Sequence, residues 1–156
     1  MALIYLGLGS NLGDKTAYLE QAIERIKKQI GPIVAQSVFF VSEAWGFESD
    51  NLFLNACVAA ETTMSPIECL HCLKDMEKAL GRPKKAPDAY IDRVIDLDIL
   101  FYDDWVMEEP HLIIPHPLLH HRMFVLKPMV EIAPDLVHPI LKKTMLELWS
   151  ELNGPS

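Results

Sequence analysis

The chain has 156 residues, half of them hydrophobic, and a formal net charge of −8 at pH 7 with a pI near 5.1. That length suits one domain over 1–156, the apolar fraction excludes a disordered chain, and the acidic balance argues against a general nucleic-acid binder. No apolar run approaches the roughly 20 residues of a membrane span, and Cys57, Cys69 and Cys72 are an odd, sparse set, so a cytoplasmic, reducing setting is expected.

Leu3 to Leu8 reads as a first strand and Gly9-Ser-Asn-Leu-Gly13-Asp14 as the turn into a helix. Leu19, Ala22, Ile23, Ile26 and Ile30 recur at helical spacing until Gly31-Pro32 stops the run. Ile33 to Ser42 is a second strand and Leu52 to Thr63 a third, separated by a polar loop that carries Trp45 and Phe47. Ser65-Pro66-Ile67-Glu68 is a capping box with proline at the first helical position, and the helix it opens runs to Leu80 and closes on Gly81. Within that helix, Cys69-Leu-His71-Cys72 looks like half a zinc site. No second ligand pair follows at the right spacing, so the thiols are expected to be structural. A polar loop, Arg82 to Asp92, leads into the strand Val94 to Phe101. Asp103-Asp104 ends it, and Trp105 to Met107 is expected to return as a hairpin partner. Pro110, Pro115 and Pro117 argue against regular structure in the next stretch. Leu118 to Val130 reads as partly helical, and Thr144-Met-Leu-Glu147 is a second capping box. The order β-α-β-β-α-β predicts an α+β ferredoxin-like core. The additional C-terminal helices would cover the other sheet face, giving a three-layer α/β/α arrangement.

One strand carries unusual chemistry. In Arg93-Val-Ile-Asp96-Leu-Asp98-Ile-Leu-Phe101 the residues alternate with period two, so Asp96 and Asp98 point the same way a few ångströms apart. Two anions that close repel each other and ask for a cation. Oxygen ligands suit Mg²⁺, which binds through one or two carboxylates plus substrate phosphates. An edge strand turning an acidic face to water, or a carboxylate pair held by arginines, is the alternative. Upstream, Arg82, Lys84, Lys85 and Arg93 concentrate positive charge in an acidic chain, and His116-Pro-Leu-Leu-His-His-Arg122 adds donors downstream. Basic residues beside a carboxylate pair suit a polyphosphate. Gly7-Leu-Gly9-Ser-Asn-Leu-Gly13 lacks the ending of a Walker loop and the spacing of a dinucleotide fingerprint. It reads as a structural glycine turn that lets a ligand come close to the backbone.

Taken together, these blocks resemble 6-hydroxymethyl-7,8-dihydropterin pyrophosphokinase of folate biosynthesis. They are Gly7-Leu-Gly9-Ser10-Asn11-Leu12-Gly13, Leu54-Asn55-Ala56, Glu77, Gly81-Arg82, Arg93-Val-Ile-Asp96-Leu-Asp98, Pro115-His116-Pro117, Arg122-Met-Phe124 and Glu131-Ile-Ala-Pro-Asp135. The resemblance implies a monomeric enzyme that transfers the pyrophosphoryl group of ATP to the pterin hydroxymethyl oxygen and releases AMP. By the same resemblance, Asp96 and Asp98 would hold two Mg²⁺ ions, while Arg82 and Arg93 would neutralise phosphate charge. Lys74, Glu77, Lys84, Lys85, Tyr90, His116, Arg122 and the Ile99 backbone would meet ATP. Phe53 and Phe124 would sandwich the pterin, Asn55 would read its polar edge, and Ser42, Glu43, Ala44, Trp45 and Gly46 would complete that side. Taken singly, Phe53 and Phe124 also fit core roles, and Asn55 could serve a backbone group instead of a ligand.

The chain departs from the family pattern in places. Ala89-Tyr90-Ile91-Asp92 stands where the family has a basic residue and Trp-Gly-Pro, so Asp92 adds negative charge beside the phosphate path. Lys74, His111 and Ile113 replace a glutamine, an arginine and a threonine on the ATP side, and Glu43-Ala44-Trp45 replaces a proline-containing turn. Two other classes compete with the resemblance: a metal-dependent phosphoesterase, and a non-catalytic ferredoxin-like ligand-binding module. The first would more often bring further acidic or histidine ligands to the pair, and the second gives no reason for the basic loop.

Overall fold

The glycines at positions 7 and 9 sit inside a strand, so the first element runs further than expected. The computed structural model describes residues 1–43, 51–81 and 94–154. Strand β1 spans Ala2–Ser10 and lies at the centre of the sheet, antiparallel to β4 (Phe53–Thr62) on one side and β5 (Asp96–Tyr102) on the other. Beyond β4 come β2 (Ile33–Gln36) and β3 (Phe40–Ser42), giving the order β2-β4-β1-β5 with β3 beside β2 along the same edge of β4. This is the ferredoxin-like α+β arrangement, and it has a helical layer on each face.

Even-numbered β1 residues Ile4, Leu6 and Leu8 pack against α1 (Lys15–Gln29) and α2 (Pro66–Ala79). Leu19, Ala22, Ile23 and Ile26 line the buried stripe of α1, and Asp14 caps it by accepting from the Ala17 amide at 3.2 Å. Gly31 ends the run where a Cβ would sit 1.8 Å from the Glu61 carbonyl oxygen, so only glycine lets the exit meet β4. The Ser65–Glu68 capping box forms as read, with both reciprocal bonds, at 3.2 and 2.9 Å. On the opposite face Tyr5, Cys57, Ala59, Leu100 and Phe101 pack under α3 (Met123–Ile132) and α4 (Met145–Leu152), and α4 opens on the Thr144–Glu147 box.

Three expectations need correction. The strand expected over 33–42 is broken. Ser37 pairs with Cys57 while Phe40 pairs with Asn55, three steps on one strand against two on the other, so one extra residue bulges out. The strict alternation of β5 fails at Leu100. Leu6 faces Ile99 but Tyr5 faces Phe101, and the intervening bulge turns both Leu100 and Phe101 toward the α3–α4 layer. Residues after Asp104 do not return along β5. They form a separate hairpin, β6 (Met107–Glu109) with β7 (Leu112–Ile114), so the proline-flanked stretch is partly regular after all. The partly helical stretch expected over 118–130 is borne out as a 3₁₀ turn at Leu119–His121 followed by α3. Among the described residues, no helix is long and apolar enough to cross a membrane.

Candidate active site

Register brings the sequence-predicted residues to one end of the sheet. Asn55, Gly9 and Asp96 lie opposite one another across β4, β1 and β5, and Cys57, Gly7 and Asp98 form the adjacent row. Directly opposed residues share a face, so Asn55, Asp96 and Asp98 all point toward the α3 side. Asn55 and Asp96 are thus separated by two strand spacings, roughly 10 Å, with only glycine between them. A Cβ on Gly9 would meet Asn55 Oδ1 at 3.4 Å and Phe53 Cδ1 at 3.6 Å, and one on Gly7 would meet Leu100 Cδ1 at 3.5 Å. The two glycines form a bare floor that any side chain would fill. Gly9, expected in a turn, lies instead within β1. The signal in the sequence is a pair of glycines two apart inside a strand, where glycine is ordinarily unfavourable.

The carboxylate pair is electrostatically loaded. Asp98 is pushed up to about 7, first by burial, then by Asp96 and Glu77, with Arg122 and Lys74 pulling the other way. Glu77 is buried on α2 and grips the free edge of β5, its Oε2 accepting from the Leu97 amide at 2.9 Å. Its Oε1 lies 3.6 Å from the Lys74 ammonium. Backbone groups two residues apart in a strand face the same side, so the Ile99 amide and carbonyl share that edge with Leu97, while the Ile99 side chain is buried against α1 and α2. Two carboxylates facing one way are oxygen donors of the kind a hard divalent cation takes together with substrate phosphates, and among the described residues no third His, Cys, Asp or Glu joins them as a ligand group.

Positive and neutral donors stand across from the acids. His116 follows β7, its amide bonded to the Leu100 carbonyl at 3.0 Å. Its Nδ1 accepts from the Leu118 amide at 3.2 Å, so a neutral ring carries its proton on Nε2. Burial and the nearby Arg122 guanidinium lower His116 to about 4 despite the opposing pull of Asp96, which keeps the ring neutral at pH 7. Arg122 is buried at the start of α3 with its guanidinium 5.5 Å from the centre of the Phe124 ring.

On the Asn55 side, the amide nitrogen donates to the Phe40 carbonyl at 3.2 Å and to Ser42 Oγ at 2.8 Å. The Phe40 carbonyl can only accept, which fixes the amide orientation. Both donors are therefore committed to β3, and Oδ1, over Gly9, is what Asn55 offers a ligand. Phe53 at the start of β4 and Phe124 at the start of α3 are half-buried, and Ser42 pairs with Phe53. Glu43 is exposed just past β3. Ala44, Trp45, Gly46, Arg82, Lys84, Lys85, Tyr90 and Arg93 lie outside the described residues.

Comparisons with known proteins converge. Residues 5–134 match the model of the family described as 7,8-dihydro-6-hydroxymethylpterin-pyrophosphokinase (HPPK). The 2-amino-4-hydroxy-6-hydroxymethyldihydropteridine pyrophosphokinase of Aquifex aeolicus is 41% identical over 151 residues, covering 97% of this chain and 92% of its own. The protein of the same name from Porphyromonas gingivalis is 42% identical over 141 residues, covering 89% and 95%. In three dimensions the chain is similar to Plasmodium falciparum HPPK-DHPS, with a TM-score of 0.79 over 96% of this chain. It spans 44% of that longer chain and is 16% identical to it, a likeness of fold.

Proposed function

The chain belongs to the 7,8-dihydro-6-hydroxymethylpterin-pyrophosphokinase family, ATP-dependent diphosphotransferases of folate biosynthesis, and we propose that its chemistry takes place over the glycine floor between Asn55 and the Asp96–Asp98 pair. It transfers the pyrophosphoryl group of ATP to hydroxymethyldihydropterin. In that reaction the pterin hydroxyl oxygen bonds to the β-phosphorus and the bond from that phosphorus to the α,β-bridging oxygen breaks. AMP departs with the bridging oxygen, and the hydroxyl proton is released.

In this reading Phe53 and Phe124 flank the flat pterin, and Asn55 Oδ1 accepts from one of its N–H groups. Ser42 and Glu43 border that side, and by the resemblance Ala44, Trp45 and Gly46 would complete it. Asp96 and Asp98 would hold two Mg²⁺ ions, which when bound supply the positive charge that phosphate oxygens require. Arg122 and the Nε2–H of His116 face the phosphates from α3 and the β7 end, with Lys74 beside Glu77 at the α2 end. Glu77 fixes the β5 edge, so that the Ile99 backbone is presented to the adenine. By the resemblance, Arg82, Lys84, Lys85, Tyr90 and Arg93, which precede β5 in the sequence, would meet the phosphates and nucleotide of ATP. Nothing in this arrangement acts as a covalent nucleophile; orientation and charge neutralisation carry the rate, as in phosphoryl transfer generally. A cytoplasmic monomer is part of the proposal.

The observation that supports the reading is the row Asn55–Gly9–Asp96, in which an amide and a carboxylate share one face with only glycine between them. Separate equilibrium titrations test it. Asn55→Ala is expected to weaken pterin binding at least tenfold and leave Mg-ATP binding near the parent, whereas Asp96→Asn does the reverse. Loss of both ligands in both variants contradicts the division of the site.

A further inference from the structure

Helix α3 is tied to the irregular strand edge at two points that the reaction chemistry does not use. At the bulge the Val38 amide turns out of the sheet, and both Glu131 carboxylate oxygens lie 3.2 Å from it. One turn earlier on the helix, the Lys127 ammonium sits 4.8 Å from the centre of the Phe40 ring. Ser37 secures the other side of the bulge. Its amide donates to the Cys57 carbonyl at 3.0 Å, and its hydroxyl accepts from the Cys57 amide at 3.0 Å while donating to the Val38 carbonyl at 2.8 Å. The strand held this way is β3, whose Phe40 carbonyl and Ser42 hydroxyl take both hydrogens of the Asn55 amide.

Phe124, Lys127 and Glu131 fall at i, i+3 and i+7, so they share one stripe of α3, about 10 Å long at 1.5 Å per residue. One end of that stripe carries a pterin-facing ring, and the other end grips the strand that orients the pterin-reading amide. We propose that Lys127 and Glu131 are positioning residues for the pterin, setting the separation between the Phe124 ring and the Asn55 carbonyl by fixing β3 to α3. This rests on the assignment of Phe124 and Asn55 to the pterin given above. A contact that merely packed a helix on a sheet would change stability or affect both substrates alike; this one acts on the pterin, because what it holds is β3, which carries the partners of the Asn55 amide and none of the ATP-side groups.

Steady-state kinetics on the full chain, varying each substrate in turn, provide the test, with Asn55→Ala as reference. Glu131→Ala is expected to raise the KM for the pterin about fivefold to tenfold, the scale of one lost solvent-exposed hydrogen bond, and to leave the KM for Mg-ATP within about twofold. Glu131→Gln keeps an oxygen for the Val38 amide and restores the pterin KM to within about twofold of the parent. Lys127→Met raises it roughly twofold to fivefold, the scale of one exposed cation–π contact. Should Glu131→Ala fail to fold, Lys127→Met decides by the same comparison between substrates. Positioning is overturned if Asn55→Ala raises the pterin KM while Glu131→Ala and Lys127→Met do not, or if these two raise both KM values equally. If Asn55→Ala itself leaves the pterin KM unchanged, the pterin assignment fails and the positioning role fails with it.

Discussion

Replacing Asp98 with asparagine should end turnover and at the same time make the chelator-treated protein more stable at neutral to alkaline pH. The carboxyl is raised from 3.8 to about 7 by burial and by its neighbours Asp96 and Glu77. Below about pH 4 it is protonated in both folded and unfolded chains and contributes no difference. Between the two values the folded state holds a proton that the unfolded state has lost, so stability falls as pH rises, and above about 7 the penalty is constant. Three units at about 1.36 kcal/mol each set a ceiling near 4 kcal/mol. Asp98 is partly exposed, and solvent screening halves that to about 2 kcal/mol. For a chain of this size that is roughly 4–8 °C in Tm. Thermal denaturation in EDTA at pH 4, 6 and 8 is the assay. A gain that is absent at pH 4 and fully developed at pH 8 is the expected result. A variant that is destabilised, or changed equally at every pH, refutes the claim that crowded negative charge defines this site.

Gly9→Val should lower pterin affinity tenfold or more with little change in Tm, because its side chain would occupy the floor beside Asn55 Oδ1 and Phe53; isothermal titration against pterin and Mg-ATP separates the effects. His138 is also lowered to about 4, by burial first and then by His120, and its Nδ1 accepts from the Ile140 and Leu141 amides at 3.2 and 3.1 Å. A histidine kept neutral loses stability as pH falls from its ordinary 6.5 toward 4, so His138→Asn should flatten the acid limb of a Tm-against-pH curve. Thr144→Ala removes one half of the α4 capping box and should cost about 1 kcal/mol in urea denaturation, with activity retained.

Much of this was legible because its signals are local. Both capping boxes, the α1 stripe and the Asp96–Asp98 spacing each need fewer than a dozen neighbouring residues to recognise. The failures came from non-local pairing. That Leu100 and Phe101 turn the same way depends on where Tyr5 and Leu6 sit across the strand gap, and the break at Ser37–Phe39 depends on Cys57 and Glu131. The β6–β7 hairpin was missed because prolines flank it and do not interrupt its paired residues. Gly7 and Gly9 gave away a turn-like composition, but their function as floor follows only from having Asn55 and Asp96 on either side. That Asn55 would read a polar edge follows from the resemblance, but which of its groups is on offer depends on β3, which takes both donors and leaves the acceptor.

The most direct measurement is product analysis: AMP and ADP released from Mg-ATP by the purified chain, with and without 6-hydroxymethyl-7,8-dihydropterin, for the parent and Asp96→Ala. The account predicts AMP in amounts equal to the pterin consumed, none without pterin, and none from the variant although it remains folded. ADP in place of AMP, or AMP at parental rates from Asp96→Ala, would contradict it.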